Sequence, residues 1–389
     1  MTDHSTPNTA AASMSAPESS SAPQATIGAT TDPLKLLGQV LMHAVKVGAS
    51  DIHLRTRNHP ILRVDGALRA LREIPPLPPE FMERLSRTMM SARLQDLFEK
   101  HHQVDLSIGF KDIGRVRANL FYQRGSIGMV LRVINTNIPT PQELHLPAIV
   151  ADLMKLERGL VLITGATGSG KSTTLASIIN QINHTRSDHI ITIEDPIEFL
   201  FTEKKSIITQ REVGIDTNTF AEALRAALRE DPDVILLGEM RDPETIETAM
   251  VAAETGHLVF STVHSTAAAE TVSRIITTFP AEAQPAIRAK LAQNLRAVVS
   301  QRLLPHKTGN GRIVACEMMS VSQLAGELIL DPLKIKDLSD LIKKGVVADG
   351  MMSFDQSLFI LVRQGDIDEE TALYYATSPT DLKLKLEGY

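Results

Sequence analysis

Hydrophobic positions change rhythm along this chain, and each rhythm predicts a different kind of structure. Residues 1 to about 32 are mostly Ser, Thr, Ala, Pro and Asn with no apolar period. Such a segment cannot bury enough surface to offset its ordering entropy, so a disordered tail is expected over 1–32. From Pro33, the residues Leu34, Leu36, Leu37, Val40, Leu41, Ala44 and Val45 recur at helical spacing up to Gly48. "SDIHLRT" and "HPILRVDGALRAL" then alternate like strands, with a turn at Asp65-Gly66, and a single helix-like stretch follows from Pro78 to His101. "VDLSIGF", "GRVRANLFYQRG" and "SIGMVLRVI" return to the strand period. Helices beside an antiparallel sheet predict an α+β domain over 33–140, closed by the Pro- and Asn-rich linker "NTNIPTPQELHLP".

Beyond that linker the texture alternates. The runs Leu160–Thr164, His189–Ile193, Val234–Leu237 and Leu258–Val263 are short and continuously apolar, as strands covered on both faces of a parallel sheet are. Amphipathic stretches such as "TFAEALRAALRE" lie between them, with Phe220, Leu224 and Leu228 one turn apart. The expected fold class is α/β, a nucleotide-binding core over 141–320 followed by a mainly helical subdomain over 321–389.

Composition narrows the function classes. A length of 389 residues allows two or three domains. The net charge of −6 and the absence of tryptophan argue against a broad nucleic-acid surface or a stacking track. Cys316 stands alone, which excludes a disulfide framework and a tetracysteine zinc site. No apolar run approaches the ~20 residues that span a bilayer, and no signal peptide opens the chain, so a cytoplasmic protein is expected.

The chemistry starts where the first apolar run breaks. "GATGSGKST" sets Gly165, Ala166, Thr167, Gly168, Ser169, Gly170, Lys171, Ser172 and Thr173 between a strand and a helix, and fits the pattern GxxxxGK[ST]. Glycines let backbone N–H groups converge on phosphate, and the helix N-terminus adds roughly half a positive charge. Lys171 is expected on the β and γ phosphates of a nucleoside triphosphate, and Ser172 on Mg²⁺. Glu239 ends the run "VILLGE" and is assigned as general base for the attacking water. Glu194, ahead of Asp195, is the first choice for the water shell of the metal, although an acidic pair there also fits a turn. "GHLVFSTVHS" places His257 and His264 at opposite ends of a strand. His264 is favoured for the site, and a satisfied polar histidine is the alternative. Arg115, Arg117, Arg124 and Arg132 offer the arginine that phosphoryl transfer usually needs, yet alternation on a strand fits a solvated face equally well.

These motifs resemble the type IV pilus retraction ATPases, PilT and PilU, of the GspE/PilT secretion ATPase superfamily. "ASDIHL" and "RVDG" match the start of that family's N-terminal domain, "GATGSGKST" its Walker A, "ITIEDPIEF" its Asp box, "LREDPDVILLGEMRD" its Walker B region and "AETGHLVFSTVHS" its His box. The resemblance implies a PAS-like N-terminal domain, a RecA-like ATPase core and a homo-hexamer with sites between domains. It also implies a platform protein of the inner membrane as partner and ATP with Mg²⁺ as ligands. By position it carries phosphate and metal binding to Lys171 and Ser172, metal support to Glu194 and catalysis to Glu239. Arg117 and Arg132 become the arginines supplied across a subunit interface.

Two departures matter. Extension and secretion relatives carry a paired CxxC zinc element that a chain with one cysteine cannot build, which favours retraction. The retraction signature Ala-Ile-Arg-Asn-Leu-Ile-Arg-Glu has only "DLSDLIKK", Asp337–Lys344, as its counterpart, without either arginine. "REVGIDT" and "FYQR…GMVLR" lean towards PilU, so reliance on a paralogous retraction ATPase is an expectation. The competing readings are an extension or secretion ATPase and a RecA-like nucleic-acid translocase.

Overall fold

The computed structural model describes residues 27–28, 30–64, 66–134, 137–309 and 311–388. The greater part of the expected tail, and Asp65 of the expected turn, lie outside them. The chain divides into two compact units, Met1–Val133 and Ile134–Tyr389.

In the first unit, α1 (Pro33–Lys46) is followed by β1 (Asp51–Arg55), β2 (Ile61–Val64) and β3 (Ala67–Ala70). Then come α2 (Pro79–Met89), α3 (Ala92–His101), β4 (Gln103–Phe110), β5 (Gly114–Gln123) and β6 (Ser126–Val133). The sheet order is β3-β2-β1-β6-β5-β4, antiparallel throughout. Asp32 starts α1 by accepting from the backbone N–H groups of Leu34 and Lys35, with Pro33 in the first turn. Of the expected stripe, Leu37, Val40, Leu41 and Ala44 are buried in one core with Ile52, Leu54 and Leu131 of the sheet. Leu34 and Leu36 are partly buried against it, and Val45 is exposed because it falls on the solvent side of the last turn. Along β5, Val116, Ala118 and Leu120 are buried while Arg115, Arg117 and Asn119 alternate to the other face.

The stretch Pro78–His101, expected as one helix, is two. Met90 turns extended, and the hydroxyl of Ser91 accepts from Leu94 N–H to start α3. A serine cap inside an amphipathic pattern outweighs the pattern's continuity, because it satisfies donors that a new helix start leaves open.

The second unit begins with a turn in which Glu143 accepts from the backbone and hydroxyl of Thr140. It continues through α4 (Val150–Leu153), β7 (Gly159–Gly165), α5 (Lys171–Thr185), β8 (His189–Glu194), β9 (Ile207–Glu212) and α6 (Phe220–Ala227). Next are β10 (Val234–Leu237), α7 (Pro243–Glu254), β11 (Leu258–Val263), α8 (Ala268–Thr277), α9 (Gln284–Asn294), β12 (Leu295–Pro305) and β13 (Arg312–Ser320). The end of the chain is α10 (Gln323–Leu330), α11 (Leu338–Lys344), β14 (Met351–Met352), α12 (Phe354–Gln364), α13 (Glu369–Tyr375) and α14 (Pro379–Glu387). An eight-stranded sheet runs β14-β13-β12-β7-β11-β10-β8-β9. It is parallel from β12 to β9, and β13 and β14 join antiparallel at one edge.

Continuous apolarity in β7 has its cause in two covered faces. Leu160 and Leu162 pack with α6–α9 on one side, and Val161 and Ile163 pack with α5 on the other. Helices α12–α14 form a separate cluster with Leu304, Ile313 and Ala315 of β12 and β13. Among the described residues no helix is long and apolar enough to cross a membrane.

Cys316 is fully buried in β13, and burial pushes its thiol up to about 12. The native protein at about pH 8 should therefore show no fast reaction with a thiol reagent, and the unfolded chain should titrate its single cysteine. Rapid labelling of the folded chain would refute that placement.

Candidate functional site

Parallel strands deliver their C-terminal ends to one edge of a sheet, and a topological switch lies where β7 has β11 on one side and β12 on the other. At that edge β7 passes into α5 through Gly165–Gly170. Gly165 has φ +145°, and a Cβ there would lie 2.4 Å from Ser169 Oγ and 2.6 Å from the Gln301 carbonyl. Gly168 and Gly170 also have positive φ, with no backbone crowding their Cα atoms. Lys171 begins α5 and is buried. Its ammonium donates to the carbonyls of Gly165 and Ala166 at 3.0 and 3.1 Å, and burial lowers its pKa against the attraction of Glu198 and Glu239. Ser169 Oγ is buried with no protein partner, a hydroxyl turned inward at the loop. Behind the loop, the Gln301 amide donates to Thr174 Oγ1 at 2.8 Å, and the hydroxyls of Thr164 and Ser300 meet at 2.8 Å, so β12 braces both ends of the cradle.

The neighbouring strand ends add the acids. Glu194 closes β8 and is buried. Burial pushes its carboxyl up to about 7, despite bonds from Thr192 Oγ1 at 2.6 Å and from the Gln210 amide at 3.3 Å. A carboxyl held that reluctantly as an anion gains from a cation beside it, and Ser172 lies on the same cavity wall. Glu239 follows β10. The hydroxyl of Thr262 donates to the Gly238 carbonyl at 2.6 Å, and Met240 N–H donates to the Thr262 carbonyl at 3.1 Å, so β11 fixes the backbone on either side of Glu239. The Glu239 Oε2 atom meets Arg241 Nε at 2.7 Å and His264 Nε2 at 3.5 Å. Among the described residues no hydrogen bond or ion pair takes Oε1, which leaves one carboxylate oxygen to take a proton.

Lys171, Ser172, Glu194, Glu239 and His264 line one cavity of about 210 Å³, with Asp195 and Glu198 on the same wall. A second cavity, also about 210 Å³, opens on the other side of the loop. Ser169 and Thr173 face Leu144, Leu303, Val314 and Arg312 across it. His257 lies at the far end of β11, its Nδ1 2.9 Å from the Ala252 carbonyl, and belongs to the turn before the strand. Arg117 and Arg132 are neighbours across β5 and β6 in the first unit. There Arg117 faces Asp105 at 3.9 Å, and Arg132 Nε bonds Asp51 at 3.0 Å. Thr262, Gln210, Thr192 and Arg241 escape sequence reading. Only Arg241 carried a local signal, two residues after the acid.

Residues 31–328 match the family described as Type II/IV secretion system protein. The chain is 43% identical over 341 residues to the type IV pilus retraction ATPase PilT of Pseudomonas aeruginosa, covering 88% of this chain and 98% of that one. It is 41% identical over 349 residues to the type IV pilus ATPase PilU of the same organism, covering 90% and 91%. Overall identity therefore does not separate the two branches. The crystal structure of the pilus retraction motor PilT with bound ADP superposes with a TM-score of 0.82 at 46% identity, over 89% of this chain and 98% of that one.

Gly165→Ala should unfold at lower denaturant than wild type by about 1–3 kcal/mol, since both its φ and its surroundings refuse a Cβ. Gly168→Ala, with open space around it, should cost only about 1 kcal/mol. Equal midpoints for the two variants would contradict the crowding at Gly165.

Proposed function

The chain belongs to the type II/IV secretion system protein family and is an ATPase, and from that premise we propose that it converts ATP hydrolysis into retraction of a type IV pilus. The observation that carries this reading is the meeting of Lys171, Glu194, Glu239 and His264 at one cavity beside the glycine cradle, in a chain that aligns with PilT along nearly its whole length. Backbone N–H groups of the cradle and the Lys171 ammonium hold the β and γ phosphates. The apolar walls of the second cavity, with Arg312, suit the base and ribose of the nucleotide. Glu239 takes a proton from the attacking water through Oε1, while Arg241 and His264 hold Oε2. The new bond forms from that water oxygen to the γ phosphorus, the bridging P–O bond breaks, and ADP leaves with its electron pair.

Ser172 and Glu194 fit a hydrated Mg²⁺, being oxygen donors of which one is a carboxyl strained by burial. When bound with nucleotide, that ion supplies neutralising charge at the β and γ oxygens.

The motor is a homo-hexamer at the cytoplasmic face of the inner membrane that turns against the pilus platform protein. Arg117 and Arg132 act on the nucleotide of a neighbouring subunit. Each sits beside an aspartate that anchors it in a folded sheet, with the Arg132 side chain 66% exposed. The altered segment Asp337–Lys344 keeps Leu338 and Ile342 as buried packing residues and carries none of the signature's arginines, which supports a PilU-like enzyme working beside a second retraction ATPase.

Lys171→Ala should lose nucleotide binding in a fluorescent-nucleotide titration. Glu239→Gln should bind ATP and lose turnover by about two to four decades. Undiminished hydrolysis in the Glu239→Gln protein would remove the base assignment. Arg132→Ala and Lys171→Ala proteins should each be inactive alone and recover part of the activity when mixed, because mixed rings contain junctions with both residues intact. No recovery would place the arginine's action within its own chain. Deleting the gene alone and with the second retraction ATPase, and scoring twitching, separates an accessory motor from an independent one.

A further inference from the structure

His264 follows β11, yet its loop has no side-chain cap of the ordinary local kind. Ala267, at the N-cap position of α8, has no side chain able to accept from the helix. The Ala268 N–H donates instead to Glu317 Oε1 at 2.7 Å, a partner 49 residues away on β13. The rest of the loop is tied to α8 itself. Glu270 accepts from the backbone and hydroxyl of Thr266, the Ser265 and Thr271 hydroxyls meet at 2.6 Å, and the Arg274 guanidinium donates to the His264 carbonyl. These bonds tie the loop to the first turns of α8, and the bond to Glu317, beside the apolar packing of Ala268 and Val272, ties the start of α8 to the sheet.

Glu317 also faces the C-terminal helices. Burial holds its carboxyl above the usual range, with Arg302 and Lys343 pulling it down and Asp355 pushing it up. Arg302 lies over the Phe354 ring at 3.8 Å and donates to the Tyr375 carbonyl, and Asp355 accepts from the backbone of Thr377 and Ser378. Arg302 stands two positions along β12 from Ser300, the cross-strand partner of Glu317, so the cation that holds the end of α13 neighbours the carboxylate that holds the start of α8.

We infer that Glu317 is a positioning residue for ATP hydrolysis, setting the His264 loop against Glu239 through its bond to the start of α8. The inference rests on the reading of His264 as a site residue given above. Glu317→Ala should lower kcat about tenfold with KM for ATP within about twofold, because binding residues are untouched. Glu317→Gln keeps an acceptor oxygen for Ala268 N–H and should restore most of the rate. Glu317→Asp keeps the charge, withdraws the acceptor by about 1.5 Å, and should be slow like the alanine variant. In a His264→Ala background, Glu317→Ala should cost nothing further. Rates that fall equally in both backgrounds, or a glutamine variant as slow as alanine, would overturn the positioning role. A His264→Ala protein at wild-type rate would instead sink the reading of His264 itself. Circular dichroism melts of the glutamine and aspartate variants, which preserve volume or charge, keep folding separate from turnover.

Discussion

A charged side chain cannot sit between two helical layers without a desolvation cost of several kcal/mol, and this constraint places the whole site. Strands β7, β8, β10 and β11 are covered on both faces, so they carry no charged side chain until they end. Their polarity is deferred to the tips: Lys171 after one, Glu194 at another, Glu239 and His264 after the remaining two. Because these strands are parallel, all the tips fall on one edge. The cavity is a consequence of excluding charge from the layers, and the chemistry follows from what is collected there.

The collected charges are then partly desolvated at the edge, in opposite senses. Burial disfavours the ammonium of Lys171 and the carboxylate of Glu194 alike. The protein satisfies them with its own carbonyls, hydroxyls and amides, which a polyphosphate and its cation can replace with stronger, charge-assisted partners. A site that holds its ionic groups under partial compensation favours a ligand of high charge density. The acids are braced from behind, by Thr192 and Gln210 on Glu194 and by Thr262 beside Glu239, so they need little rearrangement when charge develops.

Farther from the edge, the sheet links the site to the end of the chain. Strand β12 supports the phosphate cradle through Ser300 and Gln301 and bears the C-terminal helices through Arg302 and Leu304. Strand β13 supplies Glu317 to the start of α8. Neither strand belongs to the four motif-bearing runs, yet together they connect the nucleotide edge to the C-terminal helices.

The sequence by itself determined what local forces decide. Continuous apolar runs marked β7, β8, β10 and β11 to within a residue or two, since double coverage leaves its trace inside each strand. The glycine pattern marked the cradle, since positive φ and close backbone approach are properties of single positions. Acidic tips were legible as candidates for the same reason. Tertiary structure alone decided which candidates share one cavity, that His257 does not, that Thr262 and Arg241 flank Glu239, and that Arg132 pairs with Asp51 across 81 positions of sequence. It also decided the split at Ser91 and the pairing of β12 with β7 and β13. These outcomes depend on partners distant in the chain, whose hydrogen bonds and desolvation have no signature within any short window.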